Sequence, residues 1–188
     1  MFSFIIFGVL AYLIGSIPTG KIIGYLKGID IQQVGTQNIG ASNAFLSLGK
    51  KYGLLVLLGD AGKAFIFTWF AMDSFSPLGV MGLGMLLLLG NIHSVFLKFT
   101  GGKGIATCLG FFLASEPMIS LVFIGLWLIA LMVRQSILFI TIAANIVVPS
   151  FYYYLGYSAP TVFMGFMICF IVSLRHIENL QHQKKASQ

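Results

Sequence analysis

The sequence predicts an all-α protein: a polytopic membrane helix bundle of about seven transmembrane helices, N-terminus out and C-terminus in. Three observations predict it. Of its 188 residues, 58% are hydrophobic and 9% charged, with a mean hydropathy of +0.96, whereas a soluble domain carries about 25% charged residues. The apolar residues gather into runs near the roughly 20 needed to cross a bilayer. The basic residues alternate in step with those runs: seven spans starting outside put Lys27, Lys50, Lys51, Lys98, Lys103, Arg134, Arg175, Lys184 and Lys185 inside. The opposite loops, around Asp73, Glu116 and Tyr157, hold no Lys or Arg, the asymmetry that sets orientation in a cell membrane. Membrane topology therefore accounts for the net charge of +6, and without a continuous basic face no nucleic acid is expected.

Taken in order, the spans fall at 3–25, 53–72, 78–97, 104–115, 117–133, 137–156 and 159–175. The first begins without a basic stretch before it and outruns a signal peptide, so it is read as a span. Its Gly15, Ser16, Gly20 and Gly24 suit close helix packing, with a kink at Pro18. The second carries Asp60 and Lys63 at i, i+3, a spacing that lets the charges neutralise each other inside the bundle. The third ends at His93, read as a helix-end residue or one reaching an inner-face site. The fourth is short and the fifth starts at Pro117, so Ser115 and Glu116 are expected to cap a tight hairpin. Tyr152, Tyr153, Tyr154 and Tyr157 suit an outer aromatic belt. Cys108 and Cys169 lie in apolar runs and read as reduced packing residues, with no metal site expected. No repeat or boundary divides residues 1–188, which form a single integral membrane domain.

Three polar elements fall on the inner side. Phe99 to Thr107 sets Gly101, Gly102 and Gly104 around Lys103 ahead of an apolar run, which reads either as a tight packing turn or as an anion cradle at a helix start. It lacks P-loop spacing, so nucleotide hydrolysis is not implied. The long loop 26–51 carries Gly35, Thr36, Gln37, Asn38, Gly40, Ala41, Ser42 and Asn43, side-chain and backbone donors that can wrap a polar ligand or cap their own turns. Arg175, His176 and Asn179 stand where the last span leaves the membrane.

These pieces, Gly15 to Gly20, Asn38 to Asn43, Asp60 with Lys63, Phe99 to Thr107, and Arg175, His176 and Asn179, together resemble the bacterial acyl-phosphate:glycerol-3-phosphate acyltransferases, the PlsY family. The resemblance covers the whole chain. It implies a plasma-membrane enzyme, active on the cytoplasmic face, that moves a fatty acyl group from acyl phosphate to the 1-hydroxyl of sn-glycerol 3-phosphate. The products would be lysophosphatidic acid and phosphate. Neither cofactor nor metal is implied, and neither acyl-carrier protein nor coenzyme A would be the direct donor; a soluble enzyme making acyl phosphate is a possible partner, and membrane lipid surrounds the chain.

Carried over by position, the resemblance gives Lys103, His176, Ser42 and Asn43 as catalytic residues. Thr36, Asn38, Gly40, Gly102, Gly104, Arg175 and Asn179 become substrate-binding residues. Thr36 stands where serine is common and Ser42 where threonine is usual. Departures from the family pattern lie at Leu46, where an arginine ends the motif, and at Asn91 to Ser94, which replace His-x-aromatic-Pro. Further ones lie at Arg134 to Leu138, in place of a serine-bearing turn, and near His182. Losing a bidentate guanidinium keeps a second function class open: a relative that binds lipid precursors or a membrane partner without turnover. For the proton of the glycerol hydroxyl, the donor's own phosphate and His176 are the two candidate acceptors.

Overall fold

The computed structural model describes residues 2–132 and 137–186, with side chains except at 127–132, 137, 179, 180 and 182–186. The expectations for Arg134 to Ile137, Asn179, His182, Lys184 and Lys185 thus lie outside the described backbone or side chains. Among the described residues every regular element is helical, in the order α1 Phe2–Ser16, α2 Thr19–Leu26, α3 Ala41–Ser47, α4 Lys50–Met72, α5 Pro77–Ile92, a 3-10 turn Val95–Leu97, α6 Ile105–Ser115, α7 Pro117–Met132, α8 Ile137–Tyr154 and α9 Ala159–Ala186.

Helices lie in each of the expected apolar runs, the first divided in two and the third ending in a 3-10 turn, but the runs differ in reach. Phe2–Leu26, Lys50–Met72, Pro77–Leu97 and Ala159–Glu178 are each long and apolar enough to cross a bilayer. Ile105–Ser115, Pro117–Leu126 and Leu138–Tyr154 are apolar but shorter. With 11 residues, α6 rises about 16 Å at ~1.5 Å per residue, about half of a ~30 Å hydrocarbon core.

The first span breaks at Ile17 and Pro18, between α1 and α2, because proline has no N–H to continue the ladder. Lys63 Nζ on α4 donates to the exposed carbonyls there, at 3.0 Å to Gly15 and 2.7 Å to Ile17. Glycines set the closest helix crossings. A Cβ on Gly15 would lie 2.0 Å from the Leu87 carbonyl oxygen of α5, and one on Gly110 of α6 would lie 1.9 Å from that of Ala61 in α4. Only hydrogen fits at either place, so these contacts fix α1 on α5 and α4 on α6.

The core forms where α5 meets α6, α8 and α9: Met81, Leu88 and Ile92 pack with Phe111, Phe112, Val148 and Ile168. Tyr152 belongs to this core and not to an aromatic belt. Helical periodicity sets 144, 148 and 152 on one face of α8, and that face turns inward, leaving Tyr153 and Tyr154 exposed. The hairpin between α6 and α7 forms at Glu116 as expected. The Tyr157 hydroxyl donates to the Glu116 carboxylate, tying this hairpin to the α8–α9 turn, and that bond together with burial pushes the phenol up to about 12.

Candidate active site

The loop before α3 is organised by one side chain. Asn43, buried on α3, donates its amide to the carbonyls of Ile31 at 2.9 Å, Val34 at 3.0 Å and Asn38 at 2.8 Å. Its oxygen accepts the Thr36 N–H at 2.8 Å and the Ser47 hydroxyl at 3.2 Å. Asn38 Oδ1 accepts the Gly40 N–H at 2.9 Å. The loop thus caps its own turns, as one of the two readings required, and in doing so fixes Thr36, Asn38 and Ser42 against a common cavity.

The glycine-lysine loop closes the other side. Its Gly102 N–H donates to the Asn91 carbonyl at 2.9 Å. Gly104, at φ +83°, takes the left-handed conformation that turns the chain into α6. The first bond of that helix runs from the Cys108 N–H to the Gly104 carbonyl at 2.8 Å, so the amides of Ile105, Ala106 and Thr107 precede the ladder and have no intrahelical partner. Gly104, Ile105 and Ala106 line the cavity, which places the positive end of the α6 dipole there. Lys103 lines it as well, with no ion pair among the described residues. Burial with no countercharge pushes its ammonium below the usual lysine value.

Eight of the sequence-predicted residues thus share one cavity of about 450 Å³: Thr36, Asn38, Gly40, Ser42, Asn43, Gly102, Lys103 and Gly104. Its far end is apolar, walled by Phe112 of α6, Phe123 of α7, Ile140 and Ala144 of α8, and Cys169 and Val172 of α9. That end was invisible as a site in the sequence, because its residues differ in no way from packing residues until the helices are assembled. Both cysteines face this space: Cys108 lines it beside Cys169.

His176 is 5% exposed and is not among the residues that line the cavity; its Nδ1 has no hydrogen-bond partner among the described residues. Arg175 lies outside the wall and pairs with Glu178 at 3.1 Å. Leu46 is 73% exposed and takes no part in the wall. His93 stays at the end of α5, its Nδ1 3.4 Å from the Phe99 carbonyl, apart from the cavity.

Asp60 and Asn91 also line the cavity. Asp60 makes the pair its spacing predicts, 2.8 Å from Lys63, while accepting the Thr19 hydroxyl at 2.9 Å. A buried carboxylate and a buried amide inside apolar runs were the available signals for both residues.

The sequence model of the family described as glycerol-3-phosphate acyltransferase matches residues 5–186. A glycerol-3-phosphate acyltransferase of Aquifex aeolicus is 37% identical over 92% of this chain and 91% of its own length. One of Geobacter sulfurreducens is 33% identical over 100% of this chain and 97% of its own. Among solved structures, PlsY, an integral membrane glycerol 3-phosphate acyltransferase, superposes in its glycerol 3-phosphate form with a TM-score of 0.88 at 35% identity, covering 98% of this chain and 93% of that one. Its lysophosphatidic acid form gives 0.86. With the family pattern running over nearly all of its length, this chain belongs to the glycerol-3-phosphate acyltransferase family.

Proposed function

We propose that this acyltransferase moves a fatty acyl group from acyl phosphate to the 1-hydroxyl of sn-glycerol 3-phosphate, at the cytoplasmic face of the cell membrane, in a seven-span arrangement with the N-terminus out. The observation that carries the reading is the two-sided cavity, cationic and donor-rich at Lys103 and apolar beyond Phe112. An acyl phosphate has the same two halves. Its chain enters between α6 and α9, and its phosphate lies against Lys103, the α6 amides and the donors Thr36, Asn38 and Ser42.

The glycine positions 40, 102 and 104 let the phosphates approach the backbone, and Asn43 acts as a positioning residue by holding the loop. Arg175, His176 and Asn179 are assigned to the second phosphate, that of the glycerol, on the family pattern. In the transfer, the glycerol hydroxyl oxygen attacks the carbonyl carbon, the carbon–oxygen bond to phosphate breaks, and the hydroxyl proton leaves on the departing phosphate. Ester and inorganic phosphate form in equal amounts. No nucleophile with triad partners is needed, because the work is to hold two anions together and stabilise the developing oxyanion. A soluble enzyme that activates fatty acids as mixed phosphate anhydrides would supply the donor.

The deciding assay gives purified protein glycerol 3-phosphate with either acyl phosphate or acyl-coenzyme A. Lysophosphatidic acid is expected from acyl phosphate alone. Product from the thioester alone would overturn the choice of donor, and no product from either, in folded protein, would favour a binding role.

A further inference from the structure

Apart from the Asp60 carboxylate, which Lys63 and Thr19 hold, the polar end of the cavity presents donors: the Lys103 ammonium, helix amides, hydroxyls and the Asn38 amide. Donors match phosphate oxygens. Among the buried residues described there, one leaves both a side-chain donor and a side-chain acceptor open. Asn91, at the end of α5, is 4% exposed and lines the cavity, and its backbone carbonyl holds the Gly102 N–H at 2.9 Å. Its side-chain Oδ1 lies only 3.0 Å from where a Cβ on Gly102 would stand, so the amide sits directly against the glycine-lysine loop. Its side-chain amide makes no hydrogen bond among the described residues. Both neighbouring polar side chains of this kind, Asn43 and Asn38, hold backbone groups of their own loop.

An amide whose donor and acceptor are both open to a cavity gains hydrogen bonds from a ligand that matches them. Of the groups that acyl transfer to glycerol 3-phosphate brings together, phosphates need donors only. The reacting hydroxyl must be free to lose its proton. The remaining hydroxyl, on the carbon next to the reacting one, both donates and accepts and has lost its water. Resting on the function proposed above, we propose that Asn91 is a specificity-determining residue that hydrogen-bonds this non-reacting hydroxyl of the acceptor, so that the site selects a vicinal diol phosphate over a simple hydroxyalkyl phosphate.

The test compares glycerol 3-phosphate with 3-hydroxypropyl phosphate, which keeps the reacting hydroxyl and the phosphate but lacks the neighbouring hydroxyl. Wild type should prefer glycerol 3-phosphate. In Asn91→Ala, kcat/KM should fall about 3- to 10-fold on glycerol 3-phosphate and less than about 2-fold on the deoxy acceptor, the loss expected of one neutral hydrogen bond that only one substrate makes. Asn91→Leu, which keeps the volume and removes the amide, carries the same comparison if the smaller side chain loosens the loop. Equal loss on both acceptors in either folded variant would make Asn91 a support for the loop only and overturn the proposal, as would a variant with the wild-type preference intact. A wild-type protein that acylates neither acceptor would instead overturn the underlying reaction, and this proposal with it.

Discussion

Asp60 and Lys63, one turn apart on α4, meet at 2.8 Å with both side chains 9% exposed, and Lys63 also holds the carbonyls of Gly15 and Ile17 where the first span breaks. One lysine therefore neutralises a carboxylate and satisfies the orphaned end of α1. Asp60 in turn borders the cavity, so the pair keeps a negative charge from opposing the anions that the site is proposed to hold. Removing Lys63 alone leaves an uncompensated buried charge, which costs about 3 kcal/mol. Lys63→Met should lower the unfolding midpoint in detergent, and the double variant with Asp60→Asn should recover part of the loss. Strictly additive losses would show that the two act separately.

Asn43 spreads its amide over three carbonyls and accepts the Thr36 N–H. Asn43→Ala should cost about 2 kcal/mol and speed hydrogen exchange at the Thr36 amide, with activity lost through the loosened loop. Unchanged protection at Thr36 would remove Asn43 from its positioning role.

Burial lowers the pKa of Lys103, and only its charged form attracts phosphate. Inorganic phosphate binding should accordingly weaken as pH rises, and begin to do so below the range in which an exposed lysine deprotonates. Lys103→Arg stays charged throughout, so its residual binding should lose this alkaline limb. An alkaline limb of the same shape in Lys103→Arg would assign it to another group.

Much of the polar half of the site was legible in the chain because charged residues are rare in it, at 9%. Lys103 between glycines and the run from Thr36 to Asn43 stand out from apolar surroundings, and the inner-side pattern of Lys and Arg already grouped them. The break at Pro18 and the pairing of Asp60 with Lys63 follow from local rules of one or two helical turns. The apolar end of the cavity was not legible: Phe112, Phe123, Ile140 and Val172 come from four helices, and no single run tells a wall from a core. For the same reason Tyr152 was grouped with its sequence neighbours, while the rotation of α8 sends it inward. Asn91 showed itself as an amide within an apolar run and as a departure from the family pattern, and its open amide became visible once Gly102 lay against it.

The central claim is that Lys103 holds the phosphate of the acyl donor while His176 acts from beside it. Steady-state kinetics with acyl phosphate and glycerol 3-phosphate test it most directly, by comparing Lys103→Ala with His176→Ala. Removing a charge that stabilises the transition state costs about 100-fold or more, so Lys103→Ala should nearly abolish turnover, whereas His176→Ala should lower it only partially, about 10-fold. Equal and mild losses in the two variants would contradict the account.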